Sequence, residues 1–232
     1  MRIARRGLSR RQFLKSAAAA GVGSGLTAIP LLGRAGTAKE VNVAVLYPTS
    51  GSQARFGQMC VNAIKLAVDD INAAGGIKSL GGAKLNPIYA DIQSETSVTR
   101  NQAERLMATG NLAAATGCYV STFTLVATEV AERYKVPFVT GSVADKLTER
   151  VLKFTFQVSP KASHFGELQM HFAGMIAGKG KRAAIVFEDT DYGTATSKGF
   201  IDGAKKVGFE VVMAEPYVAK FTDATPLVNK IK

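Results

Sequence analysis

His164, Glu167 and His171 fall at i, i+3 and i+7, which places two imidazoles and a carboxylate on one helical face. Residues of these types at this spacing suit three ligands of a metal site, but no fourth partner is visible in the sequence. The face lies roughly 110° from the apolar stripe of the same segment, Phe165, Leu168, Phe172 and Ile176, at the 100° per residue of a helix. It reads as a partly exposed boundary, where His and Glu are common. Other catalytic templates fail. No Gly-x-Gly-x-x-Gly follows the first apolar strand, and no Gly-x-Ser-x-Gly elbow occurs. Gly174 to Lys179 is one residue short of a phosphate loop and lacks the Ser or Thr after its lysine. The sequence therefore assigns no catalytic residue, no metal and no cofactor.

Four loops carry more. Thr49–Gly57, Tyr119–Thr122, Gly141–Asp145 and Glu188–Gly193 are rich in Ser, Thr, Gly and aromatic residues, a mixture suited to a small polar ligand with an apolar part. The stretch Tyr-Val-Ser-Thr-Phe-Thr, 119–124, also opens a helix, so backbone N–H groups near Ser121 and Thr122 stand ready for a carboxylate. Simple capping of the helix by a Ser or Thr hydroxyl is the alternative.

The elements that must hold these loops alternate. Strands are expected at 41–47, 84–91, 112–119, 137–142 and 154–159. Ala63, Ile64, Ala67, Val68 and Ile71 recur at helical spacing after the first strand, and further helices are expected over 97–109 and 125–134. This is an α/β pattern, a doubly wound parallel sheet. Pro87 within the second strand demands an edge, which fits the flavodoxin-like order 2-1-3-4-5. In such a sheet ligands gather beyond the carboxyl ends of the strands, where the four loops sit. A new unit begins near Ser163, with helices over 163–177 and 194–206 and strands at 182–189 and 209–215.

The amino terminus is of a different kind. Ser9-Arg10-Arg11-Gln12-Phe13-Leu14-Lys15 precedes an apolar run to Leu32, and Ala35 to Ala38 supply small residues. A charged start, an apolar middle and a small-residue exit form the pattern of an export signal, cleaved near Ala38. A spanning helix needs roughly 20 apolar residues, and this run is shorter and broken by Gly21, Gly23, Gly25 and Pro30. The motif resembles the twin-arginine signal of bacteria, carried by Arg10, Arg11, Phe13 and Leu14. That resemblance implies folding in the cytoplasm and export, already folded, to the periplasm by the twin-arginine translocase. Seven Lys or Arg and no acid lie in residues 1–38, so the formal +11 of the whole falls to +4 for the remainder. Without a basic stripe and aromatic platforms, a nucleic-acid partner is excluded. Cys60 and Cys118 fit no metal or redox spacing and read as buried thiols.

From about Val41 to Lys232 the chain resembles the amino-terminal part of the type I periplasmic binding proteins of the leucine/isoleucine/valine class. The resemblance is carried by Val-Asn-Val-Ala-Val-Leu-Tyr-Pro-Thr-Ser-Gly-Ser-Gln-Ala-Arg-Phe-Gly-Gln (41–58), by Asp-Ile-Asn-Ala-Ala-Gly-Gly-Ile (70–77), by residues 136–160 and by Glu-Asp-Thr-Asp-Tyr-Gly (188–193). It implies a first lobe over 39–160 and the beginning of a second α/β lobe over 161–232. It also implies that the protein is the solute-binding component of an ABC importer. A monomer would capture a branched-chain amino acid, or a related amide or aromatic acid, and deliver it to a membrane permease. Phe56 stands where the family often has a pocket tyrosine. Val120 and Ser121 match the segment that grips a ligand carboxylate, flanked by Tyr119 and Thr122. Ser142 and Ala144 match the loop that holds ammonium and carboxylate, and Tyr192 matches the aromatic that closes from the second lobe. The family's acidic partner for an ammonium lies beyond Lys232.

Two rival classes stand beside this: a twin-arginine-exported metalloenzyme using the His/Glu face, and a ligand-sensing receptor module on the same fold. At the carboxyl end Thr225 is read as an N-cap, Pro226 as the first helical residue, and Leu227, Val228 and Ile231 as an apolar stripe that stops at Lys232. The expectation is a truncated chain whose second lobe is unfinished and whose cleft is open on one side.

Replacing both Arg10 and Arg11 by lysine keeps the charge but removes the planar guanidinium fork. Periplasmic accumulation of the double variant, measured by fractionation and immunoblot, is expected to be abolished, while the variant protein retained in the cytoplasm melts like wild type.

Overall fold

The computed structural model describes residues 39–177, 181–218 and 222–231. The expectations for Arg10, Arg11, Phe13, Leu14 and the cleavage near Ala38 fall outside the described residues.

Five parallel strands form the first sheet: β1 (Glu40–Tyr47), β2 (Lys84–Asp91), β3 (Ala114–Gly117), β4 (Phe138–Thr140) and β5 (Thr155–Gln157). Their order is β2-β1-β3-β4-β5, the doubly wound arrangement expected from the alternating pattern. The connecting helices are α1 (Ala54–Ala73), α2 (Thr96–Met107), α3 (Ser121–Tyr134) and the short α4 (Lys146–Glu149). Strand alternation sorts the core. Ala44 and Leu46 of β1 join a cluster with Ala103, Leu106 and Met107 of α2 and Phe123, Ala127 and Val130 of α3. Val45 points the other way and lies with Val61 of α1. Phe138 on β4 is fully buried in the same core as α2 and α3.

Pro87 sits in mid β2, as its missing donor requires of an edge strand. The amides of Lys84 and Ile92 donate to Lys39 O (3.0 Å) and Tyr47 O (3.2 Å) on the β1 side. Alternation then turns the odd-numbered positions outward, and the residue without an N–H is one of them.

After β5 the chain forms α5 (Ala162–Ile176), β6 (Lys181–Glu188), α6 (Asp191–Lys206), β7 (Phe209–Tyr217) and α7 (Thr225–Ile231), with β6 and β7 paired in parallel as a second sheet. Helix α6 starts three residues earlier than its apolar spacing indicates, because Thr190 Oγ1 accepts from Gly193 N (3.1 Å) and caps it. Helix α7 begins at Thr225 itself: the Thr225 amide donates to Asp223 Oδ1 (2.9 Å), and the Ala224 carbonyl accepts the first helical bond.

Two apolar stripes read from the sequence need correction. Phe165, Leu168, Phe172 and Ile176 are exposed, and the buried residues of α5 are Ala162, Gly166 and Met170. The reason is the neighbour: α5 packs on α6 through small residues, with Gly166 against the Thr196 carbonyl and Gly199 against the Ser163 carbonyl. Backbones that approach this closely admit no large side chain between them. In α1 the inward positions are Gly57 and Val61, continued by the half-buried Ile64 and Val68, while Ala63, Ala67 and Ile71 face outward.

A Cβ on Gly199 would run into the Ser163 carbonyl, whereas glycine to alanine at an open helical position is stabilising. Gly199→Ala is expected to destabilise by about 1–3 kcal/mol, read as a lowered denaturant midpoint at unchanged slope. An unchanged or raised midpoint would mean that α5 and α6 do not meet here.

Candidate functional site

The carboxyl ends of the strands open on a cleft of about 720 Å³. Its first wall is built on the loop after β1. Asp91, at the end of β2, accepts from Thr49 N (2.9 Å), Ser50 N (3.2 Å), Ser50 Oγ (2.6 Å) and Gln93 N (2.8 Å). Partial burial pushes its carboxyl up, but the accepted bonds from Ser50, Gln93 and Thr49 together outweigh it and hold the group below the ordinary carboxylate range. Ser94 continues the brace, donating to Ser50 O (2.8 Å) and accepting from Gln53 N (3.0 Å). Ser52, Gln53 and Ser94 thereby line the cleft.

The floor is the start of α3. Val120 is the N-cap and offers no side-chain acceptor, and the first amide bonded back to it is that of Thr124 (3.0 Å). The amides of Ser121, Thr122 and Phe123 have no protein acceptor among the described residues, and all three residues line the cleft. Capping by hydroxyl is thus not what occupies this helix end. Three free N–H groups and the positive end of the helix dipole favour an anion there.

The two serines differ in what they can offer. Ser121 Oγ accepts from Ala144 N (3.1 Å) and keeps its own proton free of any acceptor among the described residues. Ser142 Oγ contacts Tyr119 O (2.9 Å) and Thr124 Oγ1 (2.5 Å), and its carbonyl accepts from Gln157 Nε2 (3.0 Å). Both residues are buried. Tyr119 itself adopts φ 70°, a region unusual for a non-glycine residue, with its carbonyl fixed by Ser142 and its ring stacked on Phe56 at 5.3 Å and 11°.

The opposite wall comes from the second sheet: Phe165 and Gln169 of α5, Glu188 at the end of β6, and Thr190 and Tyr192 at the start of α6. Asp145 ties α5 to the first sheet by accepting from Ser163 N (3.1 Å) and Ser163 Oγ (2.5 Å), and the Val143 carbonyl accepts from Ala162 N (2.7 Å). Lys146 and Asp191 add an ion pair at 3.3 Å.

Of the eight ligand-contact residues expected from the sequence, Tyr119, Val120, Ser121, Thr122, Ser142 and Tyr192 line the cleft together. Phe56 and Ala144 do not. Phe56 stands behind Tyr119, and Ala144 is fully buried with its amide spent on Ser121. Sequence reading missed Ser94, Phe165 and Gln169. Ser94 follows the carboxyl end of β2, a position the strand-end rule covers, whereas Phe165 was assigned to a core stripe. The His164, Glu167 and His171 face assembles no site: Glu167 is paired with Lys206 at 2.5 Å, and no metal-binding group of three such side chains occurs among the described residues.

A family model described as periplasmic binding protein matches residues 40–232. The chain belongs to the periplasmic binding protein family. A second model, the twin-arginine translocation pathway signal sequence, matches residues 7–27, and together the two place this family member in the periplasm. No helix among the described residues is long and apolar enough to cross a membrane. The chain is 33% identical over 201 residues to the Leu/Ile/Val-binding protein homolog 8 of Brucella abortus, covering 83% of this chain and 49% of the relative. It is 30% identical over 210 residues to homolog 7 of Brucella suis, covering 87% and 52%. Among solved structures, the branched-chain amino acid transporter substrate binding protein LivJ of Streptococcus pneumoniae, in complex with isoleucine, superposes with a TM-score of 0.72 at 26% identity, covering 83% of this chain and 54% of that one. A solute binding protein of an ABC transporter from Rhodopseudomonas palustris, in complex with 3,4-dihydroxy benzoic acid, shares the fold with a TM-score of 0.72 at 20% identity, over 83% and 51%. The chain spans about half the length of the curated relatives it matches.

The depressed Asp91 carboxyl fixes the sign of a pH effect. A group whose folded value lies below its unfolded value of 3.8 stabilises above that value and loses the contribution as pH falls through the folded one. Asp91→Asn is expected to lower the thermal midpoint at pH 7, and the gap to wild type is expected to narrow as pH falls below 3.8. Melts across that range read it directly; a gap constant with pH would remove the charge from the account.

Proposed function

We propose that this chain is the ligand-capturing part of the solute-binding component of an ABC importer. It holds a small carboxylate-bearing molecule between a first lobe over 39–160 and a second over 161–232, and presents it to a membrane permease. The observation that carries this reading is the start of α3, where three amides without protein acceptors and the free proton of Ser121 meet in one cleft. A carboxylate there gains charge-assisted hydrogen bonds and the favourable end of the helix dipole. A cleft of about 720 Å³ lies inside the roughly 300–1,000 Å³ range of small-molecule sites.

The same groups favour binding without turnover. Ser121 Oγ has a backbone amide as its neighbour, and Ser142 Oγ a carbonyl and a second hydroxyl; neither has the adjacent base that activates a nucleophile. Tyr192, 44% exposed at the start of α6, supplies apolar cover from the second wall. Hinge closure around the ligand bridges the two walls. The protein works as a monomer, brought to the periplasm by the twin-arginine translocase.

Calorimetry across amino acids, their amides and aromatic acids tests this. One class is expected to bind and be recovered unchanged. Ser121→Ala and Ser142→Ala are each expected to weaken that binding by roughly 1–3 kcal/mol, the first by removing a donor and the second by releasing the Tyr119 carbonyl. Tyr192→Ala weakens it through lost cover. Unchanged affinity in all three variants, or conversion of the ligand, would overturn the reading.

A further inference from the structure

Lys146 Nζ lies 3.3 Å from Asp191 Oδ1 and joins α4 to the first residue of α6. Both ends of this pair are referenced to the cleft. The Lys146 carbonyl accepts from Arg150 Nε (3.2 Å). The same guanidinium donates to the Leu125 carbonyl (3.2 Å), to Thr128 Oγ1 (2.6 Å) and to Glu129 Oε1 (3.3 Å), all on α3, the helix that floors the cleft. At the other end, Asp191 stands between Thr190 and Tyr192, which both line the opposite wall. A continuous path therefore runs from the floor helix through Arg150 and Lys146 to Asp191 and its neighbour Tyr192. Of the ion pairs among the described residues, one other joins residues 39–160 to residues 161–232: Lys161 with Glu149 at 3.5 Å. It belongs to the crossing of the chain itself, as do the Asp145–Ser163 and Val143–Ala162 contacts. Contacts gathered at one crossing hold a point and leave rotation about it free. A second point fixes the orientation, and the Lys146–Asp191 pair supplies it.

We propose that Lys146 is a positioning residue for ligand capture: through Asp191 it sets the Tyr192 side of the cleft against the open end of α3. The inference rests on the solute-capture reading above. The lysine side chain is 61% exposed and that of Asp191 31%, and ion pairs this accessible contribute little to overall stability. The same small energy counts for more when it biases two arrangements of a wall that are close in energy. Accessibility also opens the pair to salt. The screening length falls from about 30 Å at about 0.01 M to about 3 Å at about 1 M, so the position of the wall, and with it the residence time of a ligand, responds to ionic strength. Asp191 keeps its charge in either arrangement, because a carboxylate in the first turn of α6 is favoured by the helix dipole.

The first test reads the wall without a ligand. Spin labels are placed in the full chain through Asn101→Cys on α2 and Lys205→Cys on α6, both exposed positions, with Cys60→Ser; Cys118 is fully buried and stays unlabelled. At about 0.01 M salt, double electron–electron resonance is expected to give one narrow distance distribution. Lys146→Met, which keeps the stem, and Asp191→Asn are each expected to broaden or shift it, and Lys146→Arg to preserve it. Raising the salt to about 1 M is expected to do to the labelled parent what removal of the charge does. A distribution unchanged in Lys146→Met and Asp191→Asn, one indifferent to salt, or a Lys146→Arg chain that behaves like Lys146→Met overturns the proposal. So does a thermal midpoint that falls in step with the broadening, since that assigns the effect to loss of fold. L-Leucine, L-leucinamide and benzoate then serve as probes. For one that binds, Lys146→Met is expected to raise the dissociation rate about twofold to fivefold at low salt and to leave it unchanged at high salt. Equal rates at low salt overturn the link to ligand capture. Failure of every probe to bind overturns solute capture for these classes, and the distances alone then decide whether Lys146 sets the wall.

Discussion

Residues 142–145 are the joint on which the site depends. Within four positions the loop after β4 reaches both ways. Towards α3, Ser142 Oγ meets the Tyr119 carbonyl and the Thr124 hydroxyl, and the Ala144 amide meets Ser121 Oγ. Towards α5, the Val143 carbonyl holds the Ala162 amide and Asp145 holds Ser163. The amino-terminal ends of two helices from different layers are thus referenced to one short segment. Buried polar networks of this kind are strong when every member is satisfied and costly when one is lost. The geometry of the cleft floor and the placement of its far wall are consequently one property.

That arrangement changes what the hydroxyl-rich loops mean. Ser, Thr and Gly in loops beyond strand ends suggest groups waiting for a ligand, yet most of these hydroxyls are already engaged. Ser50 and Ser94 brace the loop after β1, Thr140 binds the Gly117 carbonyl at 2.7 Å, and Thr124 and Ser142 hold each other. Among the donors left over are the α3 amides and the Ser121 proton. At the cleft floor a few backbone groups are held by many side chains, the division of labour that makes a site rigid before anything enters it.

The legibility of this molecule from its residues follows the same division. Strand periodicity and Pro87 were enough to order the first sheet, because a missing N–H and an alternating apolar pattern are local facts with one structural solution. Six of the eight residues expected to contact a ligand line the cleft, because they sit at strand ends and at a helix start. The apolar stripe of α5 misled. Phe165, Leu168 and Phe172 look like core, but packing between Gly166 and Gly199 decided which face turned inward, and periodicity does not weigh glycine. Ala144 and Phe56 stand outside the cleft lining for a related reason: the partner of each is distant in sequence, so nothing local shows that the amide of one and the ring of the other are already taken.

The two margins of the first sheet carry a consequence for crowding. An unpaired strand is a template on which a second molecule can add its own, and long, flat, fully equipped edges seed aggregates. Here β5 spans three residues, and β2 carries Pro87 at a position whose amide would have pointed outward. One margin is too short to hold a foreign strand in register, and the other breaks its outward ladder half-way along. The sheet therefore resists self-recruitment by covalent structure on one side and by brevity on the other.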